Sequence, residues 1–129
     1  LTIFFENHNK EPDSAEIHYI PRNVEEIHWF FDAIESLHFK WAFNVVHGHL
    51  VSEGWQDFLD AFGTGNLGQV RLNDNTGEYE VHLVPGEGNI EFDTLFAQLK
   101  SMGYSGWFSL GVGNETDKVR VRDWFKALL

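Results

Sequence analysis

The sequence predicts an α/β fold of four consecutive βα units, the content of half a (βα)₈ barrel. Three observations carry this reading. Strand-like apolar runs alternate four times with segments whose apolar residues recur at helical spacing. The strand runs have one apolar face and one mixed face that turns polar toward the strand ends. The chain has 129 residues, about half of the roughly 250 that a complete barrel takes.

Leu1 to Glu6 is the first strand, followed by a polar loop with Pro12 and Pro21. Asn23 is placed to cap the first helix, with Glu26 three residues on. Ile27, Phe30, Phe31 and Ile34 form its apolar stripe through about Ser36. Trp41 to Val46 is the second strand. Trp55, Phe58, Leu59 and Phe62 mark the second helix, which Gly63-Thr64-Gly65 stops. Leu67 to Leu72 is the third strand. Asp74 to Gly88 is a long loop with an Asn75-Thr76-Gly77 turn signal and a short extended piece within Tyr79 to Val84. Asp93 is expected to cap a helix carrying Leu95, Phe96 and Leu99 that ends at Gly103. Ser105 to Leu110 is the fourth strand. The last helix runs from Thr116 or Asp117 to Leu128, with Val119, Trp124, Phe125 and Leu128 as its apolar face.

The strand faces select the architecture. Ile3, Phe5, Trp41, Phe43, Val45, Val70, Leu72, Phe108 and Leu110 share one face. Thr2, Phe4, Glu6, Ala42, Asn44, Val46, Gln69, Arg71, Trp107, Ser109 and Gly111 share the other. A doubly wound sheet is covered by helices on both faces and is apolar on both. A barrel carries helices outside only and keeps its site at the C-terminal strand ends. The asymmetry therefore predicts one half-barrel domain over residues 1–129. The chain opens without Met, directly on LTIFFE, and is read as a fragment of a longer (βα)₈ TIM-barrel chain. Half a barrel leaves two sheet edges bare. We expect either a homodimer or association with a missing N-terminal half-barrel.

Composition excludes several function classes. The chain has no Cys, so neither disulfides nor thiolate metal sites are available. A formal charge of −11 repels phosphate backbones, so no nucleic-acid partner is expected. No apolar run reaches membrane-spanning length, so no membrane partner is expected and a cytoplasmic location is the default.

On the barrel reading, Glu6, Asn44, Arg71 and Gly111 sit at the rim on the inner face. Asn7, His8, His47, His49, Asp74, Asn75, His82 and Asn114 follow in the loops beyond. Five stretches here, FFENH at 4–8, FNVVHGHL at 43–50, LGQVRLNDN at 67–75, HLVPGEGNIEF at 82–92 and LKSMGYSGWFSLGV at 99–112, carry a resemblance. Their order resembles strands 5 to 8 of the xylose isomerase-like barrels, the sugar phosphate isomerase/epimerase superfamily that includes AP endonucleases.

The resemblance implies a divalent metal (Mn²⁺, Mg²⁺, Co²⁺ or Zn²⁺) held by two glutamates, an Asp of an Asp-x-x-His motif and a His of a His-x-His strand. That metal would polarise a sugar carbonyl or diol, with the glutamates moving protons between neighbouring carbons. Glu6 matches the first Glu. Asn44 stands at the Asp, with His47 three residues on. Gln69 and Arg71 stand at the His-x-His positions, and Gly111 at the second Glu. Three of the four ligands are changed, and a guanidinium has no lone pair to give a metal. No metal is expected by default, with Glu6 the metal ligand if a divalent ion binds. Arg71 is expected to pair with Glu6 in the metal's place.

The first functional reading is a sugar isomerase- or epimerase-like domain acting on a small sugar, keto-sugar or related acid. Glu6 and His47 are its catalytic candidates, and Arg71, Asn44, Asn7 and His82 its substrate contacts. The alternative is a non-catalytic ligand-binding or regulatory module on the same fold. A third, an endonuclease-type phosphodiesterase, rests on Glu80-x-His82 and Gly86-x-Gly88, and the acidic charge opposes it. Bland readings accompany the sharp ones. Glu6 fits a solvated strand-end carboxylate, and His47 a loop-bridging imidazole. His49 fits a structural role, Trp107 fits barrel filling, Asp74 and Asn75 fit a turn, and His18, His28 and His38 fit solvated surfaces.

Overall fold

A computed structural model describes residues 1–9, 19–51 and 54–129. The expectations for Pro12 and His18 lie outside these residues. Four strands, β1 (Ile3–Glu6), β2 (Phe39–Asn44), β3 (Leu67–Arg71) and β4 (Trp107–Ser109), form one sheet in the order β1-β2-β3-β4. Every pairing is parallel. Helices α1 (Val24–Ala33), α2 (Val45–His49), α3 (Gly54–Phe62), α4 (Phe92–Ser101) and α5 (Glu115–Leu128) complete the alternation.

The apolar strand face and the helices enclose the core. Trp41, Phe43 and Val70 from the strands, with Leu72 just beyond β3, join Trp55, Phe58 and Leu59 of α3 and Leu95, Phe96 and Leu99 of α4 in one cluster, all buried. The Phe43 and Phe58 rings stack at 5.8 Å, and Phe96 stacks on Phe108 at 5.1 Å. Burying such side chains contributes about 1.5–3 kcal/mol each. The opposite face is open. Phe4 is 46% exposed and Trp107 is 76% exposed within these residues.

Several element boundaries differ from the sequence expectation. The second strand ends at Asn44, not Val46. The Asn44 side-chain oxygen accepts the backbone N–H groups of Val46 and His47 and caps α2. This cap turns two β-branched residues into the start of a helix. Asn23 does cap α1, but Glu26 accepts the backbone N–H of Arg22 rather than that of the cap residue. Asp93 lies in the first turn of α4, where its charge suits the helix dipole, and makes no cap. The last helix begins at Glu115 because Asn114 and Asp117 form a reciprocal capping box. In α5 the fully buried residue is Val121, while Val119 is 46% exposed.

Tyr104 follows α4 and donates its hydroxyl to the Trp107 carbonyl at 2.9 Å. Burial pushes the Tyr104 phenol well above the ordinary tyrosine range, against a smaller opposing backbone contact from Val70. A folded-state pKa above the unfolded value stabilises the fold fully below the unfolded pKa, about 10. That contribution is lost as pH rises beyond it. Absorbance titration is therefore expected to leave one of the three tyrosines protonated above the ordinary range until the chain unfolds. Tyr104→Phe should abolish that late-titrating fraction.

Candidate functional site

The polar strand ends open into a cleft of about 700 Å³ lined by Glu6, His8, Asn44, His47, Arg71 and Glu80, among others. Parallel register places Glu6 beside Ala42, Asn44 beside Arg71, and Arg71 beside Ser109. The three strand ends therefore present their side chains to one space.

Glu6 is the hub of the strand-end group. Arg71 Nη1 lies 2.5 Å from Glu6 Oε2, and Asn44 Nδ2 donates to Glu6 Oε1 at 2.9 Å. Arg71 Nε donates to Gln69 Oε1 at 3.2 Å, which orients the guanidinium. Both carboxylate oxygens of Glu6 thus face donors. The pairing expected from sequence is present. Asn44 does three things: it caps α2, holds Glu6, and approaches His47 Nε2 at 3.4 Å. Asn7 is fully buried and clasps the Asn44 backbone, donating to its carbonyl at 3.0 Å and accepting its N–H at 2.7 Å. The Asn7 side chain therefore positions Asn44.

A second group sits beside the first. His47 Nδ1 meets the Asn7 carbonyl at 2.7 Å. The Nδ1–H is the donor, and Nε2 is the atom left facing the cleft. Glu80 Oε1 lies 3.2 Å from His47 Nε2 and 3.5 Å from His82 Nε2. Asn9 donates to Glu80 Oε2 at 2.9 Å, and Asn73 Nδ2 lies 2.9 Å from His82 Nδ1. The His8 ring stacks on His47 at 5.8 Å. Burial raises the Glu80 pKa, but the hydrogen bond from His82 and the interactions with His47 outweigh it. The carboxyl is held below its ordinary range.

A folded-back loop places Glu80 and His82 over the rim. Asp74 and Leu83 exchange both backbone hydrogen bonds, at 2.9 and 2.8 Å. The carboxylate of Asp74 is buried and accepts four backbone N–H groups, from Asn75, Gly86, Gly88 and Ile90. It organises the Pro85-Gly86-Glu87-Gly88 loop. A Cβ on Gly88 would collide with the Asn75 carbonyl and the Asp74 carboxylate, so only glycine fits. His49 is turned away from the cleft and meets Asn89 Oδ1 at 2.8 Å. His28 and His38 are exposed.

The central metal positions do not fit a divalent ion. Glu6 is engaged by a cation, Arg71 offers no lone pair, and Gly111 offers no donor. The outer group fits better. His47, Glu80 and His82 bring one ligand atom each within 4.8 Å of one another, and two imidazoles with a carboxylate form a known zinc donor set. Glu80 figures in the sequence reading only through the endonuclease-type pattern, and His8 only as a rim-loop residue. The Glu80-x-His82 pattern was the signal for the first, and only its long-range contacts reveal its place.

Residues 1–128 match the family of xylose isomerase-like TIM barrels. The chain belongs to this family. A curated relative, the uncharacterized protein MJ1311 of Methanocaldococcus jannaschii, is 31% identical over 98 residues, covering 74% of this chain and 33% of that protein. Among solved structures, a D-tagatose 3-epimerase-like protein superposes with a TM-score of 0.84 at 24% identity. The match covers 99% of this chain and 46% of the other. The 3-keto-D-glucoside 4-epimerase YcjR of E. coli gives 0.71 at 18% identity, over 98% of this chain and 46% of that one. D-allulose 3-epimerase from Methylomonas sp. gives 0.75 at 17%, over 100% and 49%. These structural likenesses establish the fold. The chain spans a third of MJ1311 and about half of each of these structures, as four βα units of an eightfold barrel should. No helix among the described residues is long and apolar enough to cross a membrane.

Proposed function

We propose that this chain is one half of a sugar isomerase- or epimerase-like barrel in which the Arg71 guanidinium takes the place of the central metal. It acts on or binds a small sugar or keto-sugar at the rim. The observation that supports the reading is the contact of Arg71 Nη1 with Glu6 Oε2 at 2.5 Å, at the position to which the resemblance assigns the ion. In this reading Glu6 is the base that removes a proton beside a carbonyl. Arg71 provides the fixed positive charge that steadies the developing oxyanion. Asn44 and His82 contact substrate hydroxyls, and His47 Nε2 exchanges a proton with the substrate. Asn7 acts through Asn44. The setting is carbohydrate metabolism in the cytoplasm, and residues 1–129 form one domain of a longer barrel.

A panel of keto-sugars tests this. Turnover that falls 10²-fold or more in Glu6→Gln, the usual scale for losing a general base, supports the enzyme. Saturable binding with no turnover would point instead to a ligand-binding or regulatory module.

The ligand-atom cluster of His47, Glu80 and His82 favours a second reading for a divalent ion. An ion bound there would act as a Lewis acid toward a substrate oxygen. In that reading His47 and His82 are ligands, and Asn73 steadies His82.

A further inference from the structure

Gly111 leaves a gap in the rim. It stands where the resemblance places a glutamate, and its backbone does not require glycine, since its φ is not positive. Beyond its chain neighbours, one heavy atom among the described residues comes within reach of the position a Cβ would take: Asn73 Oδ1, at 4.0 Å. Both residues line the cleft. Asn73 is 7% exposed, and its Oδ1 is buried with no hydrogen-bond partner among the described residues. The other end of the amide is committed, because Nδ2 lies 2.9 Å from His82 Nδ1. His82 Nε2 faces Glu80 Oε1 at 3.5 Å, which places the ring proton on Nε2 and leaves Nδ1 as the acceptor. The amide is therefore oriented, with Nδ2 toward His82 and Oδ1 toward Gly111. A buried acceptor left alone is costly, and native structures keep few of them.

We infer that Asn73 Oδ1 and the gap at Gly111 form a subsite for one hydroxyl group of the substrate. The inference rests on the reading of the cleft as a sugar site. The space that a glutamate side chain would fill receives a hydroxyl-bearing carbon, and Oδ1 accepts the hydroxyl proton. An amide oxygen only accepts, so an ionised carboxylate or phosphate, with no proton to give, is disfavoured there. The subsite therefore selects a neutral polyol end over a sugar acid or a terminal phosphate. A site that holds a hydroxyl rejects the analogue lacking it, because the buried acceptor is then left unpaired. Asn73, His82 and Gly111 all belong to this chain, so the subsite does not depend on what flanks the outer strands.

Two measurements test it. Urea unfolding of Gly111→Ser against Gly111→Ala probes the acceptor without a ligand. The serine hydroxyl lies one bond beyond the Cβ position, within hydrogen-bond reach of Oδ1. Its midpoint should exceed that of the alanine variant, and the difference should vanish when both also carry Asn73→Ala. Equal midpoints would show that Oδ1 is not an open acceptor and overturn the inference. Calorimetric titration then uses the tightest-binding keto-sugar of the panel, its singly deoxygenated analogues and its terminal phosphate ester. One deoxy analogue should bind the natural chain about tenfold more weakly than the parent sugar, and Asn73→Ala should bind the two alike. The phosphate ester should bind no better than the parent, and Gly111→Ser should weaken the parent by about the same factor. A flat deoxy series, or discrimination that survives Asn73→Ala, overturns the subsite and leaves the sugar reading standing. Failure of the natural chain to bind any sugar of the panel overturns that reading, and the assigned hydroxyl with it.

Discussion

Asp74→Ala is expected to destabilise the fold by about 3–5 kcal/mol, read as a lower urea midpoint at unchanged slope. The carboxylate accepts four backbone N–H groups and ties both ends of the loop together. Hydrogen bonds to charged groups contribute about 1.5–3 kcal/mol each, and stranded buried donors cost a further 1–3. The sum is discounted because the loop can open and let water reach its amides. Asp74→Asn keeps an acceptor oxygen but loses the charge, so a smaller loss of about 2 kcal/mol is expected. A functional consequence follows from the same geometry. The carboxylate gathers the amides of Gly86, Gly88 and Ile90, which anchors the far end of the segment that carries Glu80 and His82 over the rim. Asp74→Asn should therefore weaken ligand binding even where the chain remains folded. Retention of full stability by Asp74→Ala would show that the loop is held by other means.

The second large effect is a gain. Rebuilding the ligand set that the resemblance implies with Asn44→Asp, Gln69→His, Arg71→His and Gly111→Glu is expected to create a central divalent-metal site. The backbone is already suited to it. An Asp at position 44 keeps the side-chain oxygen that caps α2. A Cβ at Gly111 would meet only Asn73 Oδ1, at 4.0 Å, so the backbone there accepts a side chain. Asn44→Asp alone should behave in the opposite way. It replaces the amide that donates to Glu6 at 2.9 Å with a second carboxylate, and like charges at that distance repel. The single variant should lose about 1–2 kcal/mol of stability, and a bound metal should restore it only in the fourfold variant. Calorimetric titration with Mn²⁺ separates the two.

The repeating units were legible in the sequence because they depend on local periodicity. Alternation along Phe39–Asn44 and helical spacing from Trp55 to Phe62 record which face each residue buries. The rim positions of Glu6, Asn44 and Arg71 follow from the same count, and so does their meeting, because parallel register aligns neighbouring strand ends. What escaped depends on contacts remote in sequence. The helix α2 is formed by Val45-Val46, a pair that reads as strand, and only the Asn44 cap and full burial turn it. Glu80 lies in a stretch with no period at all. It reaches His47 because Asp74 and Leu83 fold the loop back on itself, and nothing local encodes that closure. Asp74 looked like a turn residue for the same reason, since three of the amides it gathers lie 12 to 16 residues further on.

Zinc or manganese titration of the natural chain against Glu6→Gln and Glu80→Gln tests the replacement of the central metal by Arg71 most directly. The Arg71–Glu6 pair predicts no ion at Glu6. Any divalent ion that binds should do so with unchanged affinity in Glu6→Gln and be lost in Glu80→Gln. A stoichiometric ion whose binding is abolished by Glu6→Gln and unaffected by Glu80→Gln would contradict it.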